Sequence, residues 1–270
     1  MKIQAKTFRF LTISTVLVSC LLGCDGREEI NLANGGSEVG NPNRVALSVV
    51  SYDSSLSRVG THYLLSGLSI IEARIVLGSI QFRSMESCTD QPGEGRIDFN
   101  GPFVIDLLSN RSFPEIESAD IPEGTYCKID LRFDELSQND LPEGVSKGDP
   151  IIGQSLLIRG SRSDGIPFVV QIKKKDPFKL KNQGLGFQVG SEGFLDFLIA
   201  FDLSVWFTEV DLATADLTSG TIIIDQNHNQ SLLSKIRRNI KLSARLFQDL
   251  NENRQLETDE QIEVLAQGLE

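Results

Sequence analysis

A period of two in the hydrophobic pattern restricts this chain more than any other feature. Between residues 125 and 133, Tyr126, Lys128, Asp130 and Arg132 alternate with Cys127, Ile129, Leu131 and Phe133. Successive strand side chains point to opposite faces, so this stretch predicts a strand with one core face and one wet face. Residues 68–77 read the same way, with Ile71, Ala73, Ile75 and Leu77 on one face and Glu72, Arg74 and Val76 on the other. Residues 79–83 continue beyond Gly78, which marks a bulge. Further strands are expected at 45–50, 103–108, 155–160, 167–172, 178–180, 185–189 and 194–201. Turn signals separate them at Ile121-Pro122-Glu123-Gly124, Asp164-Gly165 and Ser191-Glu192-Gly193. Short strands between Gly/Pro turns, with no helix among them, predict a mainly β chain with an antiparallel β-sandwich over residues 44–207.

After Trp206 the pattern changes. Residues 205–215 are expected to be helical and 221–224 extended. A second helix follows Asn229 or Ser231 and runs to about Phe247, with Leu233, Ile236, Ile240, Ala244 and Phe247 recurring every three or four residues. That stripe reads as core packing against the sandwich. Arg237, Arg238, Lys241 and Arg245 read as its solvated outer face.

Residues 249–260 resemble an EF-hand calcium loop, in which oxygen donors at fixed spacing wrap a cation. Asp249, Asn251 and Asn253 fill the first, third and fifth places, Gln255 offers its main-chain carbonyl at the seventh, and Glu260 is the bidentate twelfth. Leu256 supplies the inward-packing eighth position and Glu257 the ninth. The departure is Arg254 at the sixth place, where glycine is expected for a sharp turn at positive φ. Strain there and the Arg charge imply weak Ca²⁺ binding, roughly 10⁻⁴–10⁻³ M. With helical sequence on both sides, residues 208–270 read as a helical, EF-hand-like helix-loop-helix appendage. The alternative is a polar helix connection that keeps only the shape of such a loop. Asp225-x-Asn227-x-Asn229 begins in a similar way but has Ile236 where the acidic ligand belongs, and reads as a turn and helix cap.

The amino terminus carries an address. Lys2, Lys6 and Arg9 precede an apolar run that ends in Leu21-Leu22-Gly23-Cys24. This is the charged start and apolar stretch of a secretory signal peptide, residues 1–23. Its end resembles the lipobox of bacterial lipoproteins, which implies lipidation of Cys24 and a membrane anchor. Cys20 is a second, overlapping candidate, but polar sequence begins directly after Cys24. Asp25 resembles an inner-membrane retention signal of enteric bacteria, a rule not shared by all diderm bacteria, so inner and outer membrane both stay open. Residues 24–43 are polar and Gly/Asn-rich and read as a flexible tether. Gly35-Gly36-Ser37-Glu38-Val39-Gly40-Asn41-Pro42 resembles a segment found at the start of many bacterial envelope lipoproteins.

Asp106-Leu107-Leu108 followed by Ile121-Pro122-Glu123-Gly124-Thr125-Tyr126-x-Lys128-Ile129 resembles a bacterial envelope domain family of unknown function with a transthyretin- or immunoglobulin-like sandwich. The likeness extends from about Val45 to Phe207. Its matching residues are structural, so it implies a fold and no active site.

Two cysteines, Cys88 and Cys127, remain in the folded part. In an exported chain such a pair is expected to form a disulfide. Closing that loop of about 40 residues would contribute roughly 4 kcal/mol. The alternative is two thiols.

Removing the first 23 residues leaves 23 basic against 37 acidic residues, a balance of −14. That surface argues against nucleic acid as a partner. His62 and His228, the only histidines, lie in no recognisable nucleophile or metal motif. The expected role is therefore a non-catalytic, membrane-anchored binding or scaffolding module of the cell envelope, partnered by an envelope or extracellular protein or glycan and stabilised by calcium. The alternative is an envelope hydrolase with paired carboxylates.

Overall fold

Strand β4 has partners along both of its edges, and the rest of the sheet is arranged around it. The computed structural model describes residues 43–269, apart from 55–57, 60–61, 66, 86–91, 183 and 191–193. The leader, Cys24, the tether and Cys88 lie outside the described residues, as does the His62 side chain.

The first half of the chain forms β1 (Asn43–Tyr52), β2 (Arg58–Val59), β3 (His62–Leu65), β4 (Leu68–Met85), β5 (Pro92–Asp106), β6 (Arg111–Phe113), β7 (Ala119–Ile121) and β8 (Gly124–Phe133). Five strands follow: β9 (Leu156–Arg162), β10 (Pro167–Ile172), β11 (Asp176–Lys181), β12 (Phe187–Val189) and β13 (Phe194–Asp202). Then come β14 (Leu217–Thr218), β15 (Thr221–Ile224), helix α1 (Gln230–Ser243), β16 (Ala244–Gln248) and β17 (Ala266–Gly268). The protein is mainly β, with its strands in one curled, mixed sheet.

One edge of β4 pairs with β3 along Leu68–Ile70 and then with β5 along Arg74–Met85. The other takes β9 along Leu68–Ile75 and then β8 along Leu77–Ser84. Register shifts toward both β5 and β8 fall at Gly78, where the expected bulge lies. A Cβ there would meet Asp134 at 2.8 Å, so the position requires glycine.

A second irregularity corrects the expected faces of β4. The β9 register slips between Ile70 and Glu72. This puts Ile70 in the core and leaves Ile71 54% exposed, while Ala73, Ile75 and Leu77 are buried as expected. Val76 is also buried, because the 134–155 segment covers the outer face with Leu136 and Ile151. Arg74 is held there by Glu72 and by Asp149 at 2.9 Å.

In β8 the core face holds Ile129, Leu131 and Phe133, and Cys127 is 4% exposed. Tyr126, expected on the wet face, is fully buried instead. Its ring stacks on Phe187, and its hydroxyl donates to the Pro122 carbonyl at 2.9 Å. Burial pushes that hydroxyl's pKa up to about 12.

The pairing is not purely antiparallel. β1 runs parallel to β13, and β10 parallel to β15. Parallel neighbours need long crossovers, so no local hairpin signal announces them.

The C-terminal residues are not a helical appendage. Residues 205–215 form turns around two single-turn 3-10 helices, Leu203–Val205 and Leu212–Thr214, capped by Asp202 and Asp211. Helix α1 buries Leu233, Ile236 and Ile240 but stops at Ser243. Ala244 and Phe247 belong to β16, which pairs with β13 on one side and β17 on the other. β17 in turn pairs with β11. Sheet hydrogen bonds to distant strands override the helical period of this stretch. Among the described residues, no helix is long and apolar enough to cross a membrane.

Part of the basic face of α1 docks the helix instead of solvating it. Arg237 and Lys241 meet Asp176 at 2.5 and 2.8 Å. Burial would raise the Asp176 pKa, but the hydrogen bonds and charges of Lys241 and Arg237 outweigh it and hold the carboxyl below its ordinary value. A depressed carboxyl stabilises the fold above its unfolded pKa of about 3.9 and loses that contribution as pH falls through the folded value. Asp176→Asn should therefore lower stability at neutral pH by on the order of 1–3 kcal/mol, since two cations lose their charged acceptor. Below about pH 4 the variant should lose stability less steeply than the natural chain. Denaturant titrations across that range measure both, and parallel acid limbs would refute the clamp.

Candidate functional site

The 249–260 loop is entered from a strand, not a helix. Asp249 follows β16, and its N–H donates to the Asp196 carbonyl of β13 at 2.9 Å. At the far end, Glu260 opens a single 3-10 turn, Glu260–Ile262, before β17. The expected helix-loop-helix is therefore a strand-loop-turn here. Leu256 packs inward as expected, against Val50, Tyr52, Leu198, Ala200 and Phe247.

Two carboxylates close the loop. Asp249 accepts from the N–H groups of Asn253 at 3.2 Å and Arg254 at 2.7 Å. Glu260 accepts from Leu250 at 2.9 Å with Oε1 and from Glu257 at 3.0 Å with Oε2. Between them, the side-chain oxygens of Asn251 and Asn253 accept from the N–H groups of Asn253 and Gln255 at 3.1 and 2.7 Å. These Asx-type bonds turn the backbone, with Asn251 and Asn253 themselves left exposed. The Glu257 carboxylate is turned onto the amide nitrogens of Asn251 and Asn253, at 3.0 and 3.1 Å.

Asp249 and Glu260 are each 3% exposed, and neither is paired with a Lys or Arg side chain among the described residues. Asp196 adds a carboxylate near Asp249 that no sequence motif could reveal, because it comes from a strand about 50 residues earlier that pairs with β16. Burial raises the Asp196 pKa, and the charges of Asp249 and Glu252 raise it further against the opposing effect of Arg254. The field of the loop is negative.

The donors fit a hard cation in type. A carboxylate oxygen that accepts one N–H retains further lone pairs, and Asn oxygens and a main-chain carbonyl complete an all-oxygen set. The fit is limited by low charge. Among the described residues, no group of three or more His, Cys, Asp or Glu side chains is arranged to hold a metal ion. The direct ligand set would be Asp249, Asn251, Asn253, the Gln255 carbonyl and Glu260, with only two carboxylates.

Elsewhere, His228 is an exposed turn residue. Its ring nitrogen lies 2.9 Å from Asp225, which also accepts the N–H groups of Asn227 and His228. Asn229 precedes α1 in a left-handed conformation without capping it. Its side chain instead ties the helix start to Asp216 and Ile223. Cys127 is placed in β8, but its expected partner Cys88 lies outside the described residues.

No protein-family model, curated protein or solved structure matches this chain.

Arg254 has φ +59°, the conformation for which the loop pattern reserves glycine. An L side chain there costs about 1–2 kcal/mol. Arg254→Gly should raise metal-free stability by up to about 1 kcal/mol, the gain being reduced by the extra freedom of glycine in the unfolded chain. A shift of the denaturation midpoint in chelator measures it, and a less stable variant would contradict the strain argument.

Proposed function

We propose that this chain is a membrane-anchored, non-catalytic binding or scaffolding module of a bacterial envelope, stabilised by weak binding of a single Ca²⁺ in the 249–260 loop. The observation that carries the calcium reading is the burial of Asp249 and Glu260 with no basic side-chain partner among the described residues. Two N–H groups on each carboxylate offset part of the cost of burying its charge, and a divalent cation would supply the counter-charge that no side chain gives. The all-oxygen character of the donors favours Ca²⁺ over a softer metal.

Three further elements belong to the same reading. A transthyretin- or immunoglobulin-like sandwich is supported by the Tyr126 hydroxyl reaching back to Pro122, the corner bond of such folds. A Cys88–Cys127 disulfide is supported by the burial of Cys127 and by the pairing of Ser84 with Tyr126, which brings the end of β4 beside it. Lipid attachment at Cys24, and with it a periplasmic or surface-facing position in a diderm envelope, rests on the Leu-Leu-Gly-Cys motif and the basic, apolar leader.

A thermal melt with millimolar Ca²⁺ and again with chelator tests the metal. Binding in the roughly 10⁻⁴–10⁻³ M range should add about 1–2 kcal/mol by mass action at a few millimolar Ca²⁺. Mg²⁺ should do less, and Glu260→Gln should abolish the gain. An unchanged calcium response in that variant would reject the site. For the anchor, Cys24→Ala should move the full chain from the membrane to the soluble fraction. Retention in the membrane would refute lipidation there.

A further inference from the structure

Strand β1 is only partly covered on one of its two edges. On one side it pairs with β13 from Arg44 to Tyr52. On the other, β7 covers Asn43, Arg44 and Val45, and the Ser51 N–H donates to the Asn110 side chain at 2.8 Å. Main-chain groups alternate between the two edges of a strand. The N–H and C=O groups of Leu47 and Val49 therefore face the same side as the Ser51 N–H. Among the described residues, no strand pairs with that side between Ala46 and Val50. The gap is roughly 16 Å long at ~3.3 Å per residue.

A groove of about 320 Å³ runs along this gap. Leu47, Ser48 and Val49 line one wall, the 110–116 segment with Arg111 and Glu115 lines the other, and Glu143 and Arg254 border the groove as well. Arg111 lies over the Phe113 ring, 5.3 Å from its centroid, and has no carboxylate partner among the described residues. Arg254 reaches the rim from the 249–260 loop and is tied to Glu115 only at 3.8 Å, with both side chains largely exposed.

An uncovered strand edge is a template for another chain. Here it offers donors and acceptors in a two-residue repeat, matching the main chain of an extended peptide. A simple anion would use the donors and leave the carbonyls unmet. The Arg111 guanidinium, with no carboxylate partner among the described residues, adds a preference for a carboxylate side chain beside it. We infer that the gap in the edge of β1 takes an extended, carboxylate-bearing peptide segment of another protein by strand addition. This rests on the reading of the chain as a binding module, and names the class of partner. It is independent of calcium.

The test is amide hydrogen exchange on the isotopically labelled full chain in detergent. The probe is the peptide acetyl-Thr-Val-Asp-Val-Thr-amide, with an N-methylated version as control. Without peptide, the Leu47 and Val49 amides should exchange at least about tenfold faster than those of Ala46 and Ser48, which face β13. Millimolar peptide should slow Leu47 and Val49 by about tenfold or more, and the N-methylated control should not. Arg111→Glu, a surface change, should weaken binding about tenfold. The inference falls if Leu47 and Val49 are already slow in the free protein, if millimolar peptide leaves them fast, or if both peptides act alike. A pull-down that retains an envelope component while these amides stay fast would reject this site and leave the binding-module reading standing.

Discussion

The sheet depends on the backbone of β4 being satisfied along both edges. Eighteen residues of strand must bond two strands in turn on each side, β3 and β5 on one and β9 and β8 on the other. One straight ribbon cannot serve both directions, so the strand changes course at Gly78, where a side chain would collide with Asp134. Ile70, Ile75, Leu77 and Ile80 are held by this strand in the main core. Its outer face is sealed by a second cluster through Val76 and Leu157. The 134–155 segment, which forms neither helix nor strand, is thereby anchored by Leu136 and Ile151 and by the Asp149–Arg74 pair.

The same logic ties the C-terminal residues to the sheet. β16 and β17 fill the space between β13 and β11. Helix α1 then closes over the core, its Asp176 clamp set beside Phe133 and Ile240. Trp206, fully buried, donates from its indole nitrogen to Ser243 at 2.8 Å, at the point where the helix gives way to strand. The candidate loop inherits its rigidity from this arrangement. Its strand end is fixed by Asp196, and Leu256 is seated among residues of β1, β13 and β16. A cation bound there would act on a loop already joined to the sheet.

Much of the fold was legible locally. The strands at 167–172 and 221–224 fall where period and turn residues placed them, because each is bounded by its own Gly or Pro signal. Tyr126 and Ile71 were misplaced for opposite reasons. A hydroxyl that can reach its own turn carries an aromatic ring inward, and a register slip carries an aliphatic side chain outward. The turn of the 249–260 loop was readable in outline, since the Asp249, Asn251, Asn253 and Glu260 side chains bond main-chain N–H groups within those twelve residues. The contribution of Asp196 was not, since strand pairing alone brings it there.

By itself, the sequence determined the mainly β class, the positions of most strands, the bulge at Gly78, the buried stripe of α1 and the run of Asp and Asn side chains that turns the 249–260 loop. Each is a short-range property, set by side-chain period, backbone freedom or the geometry of neighbouring residues. Only the tertiary structure decided that β1 and β13 run parallel, that the helix ends at Ser243 and continues as strand, and that Asp176 gathers two cations of the helix. It also decided that, among the described residues, no strand pairs with one edge of β1 between Ala46 and Val50. The reason is the same throughout: which backbone edge meets which, and which charge is desolvated against which, depends on chain segments far apart in sequence, and no local pattern carries that information.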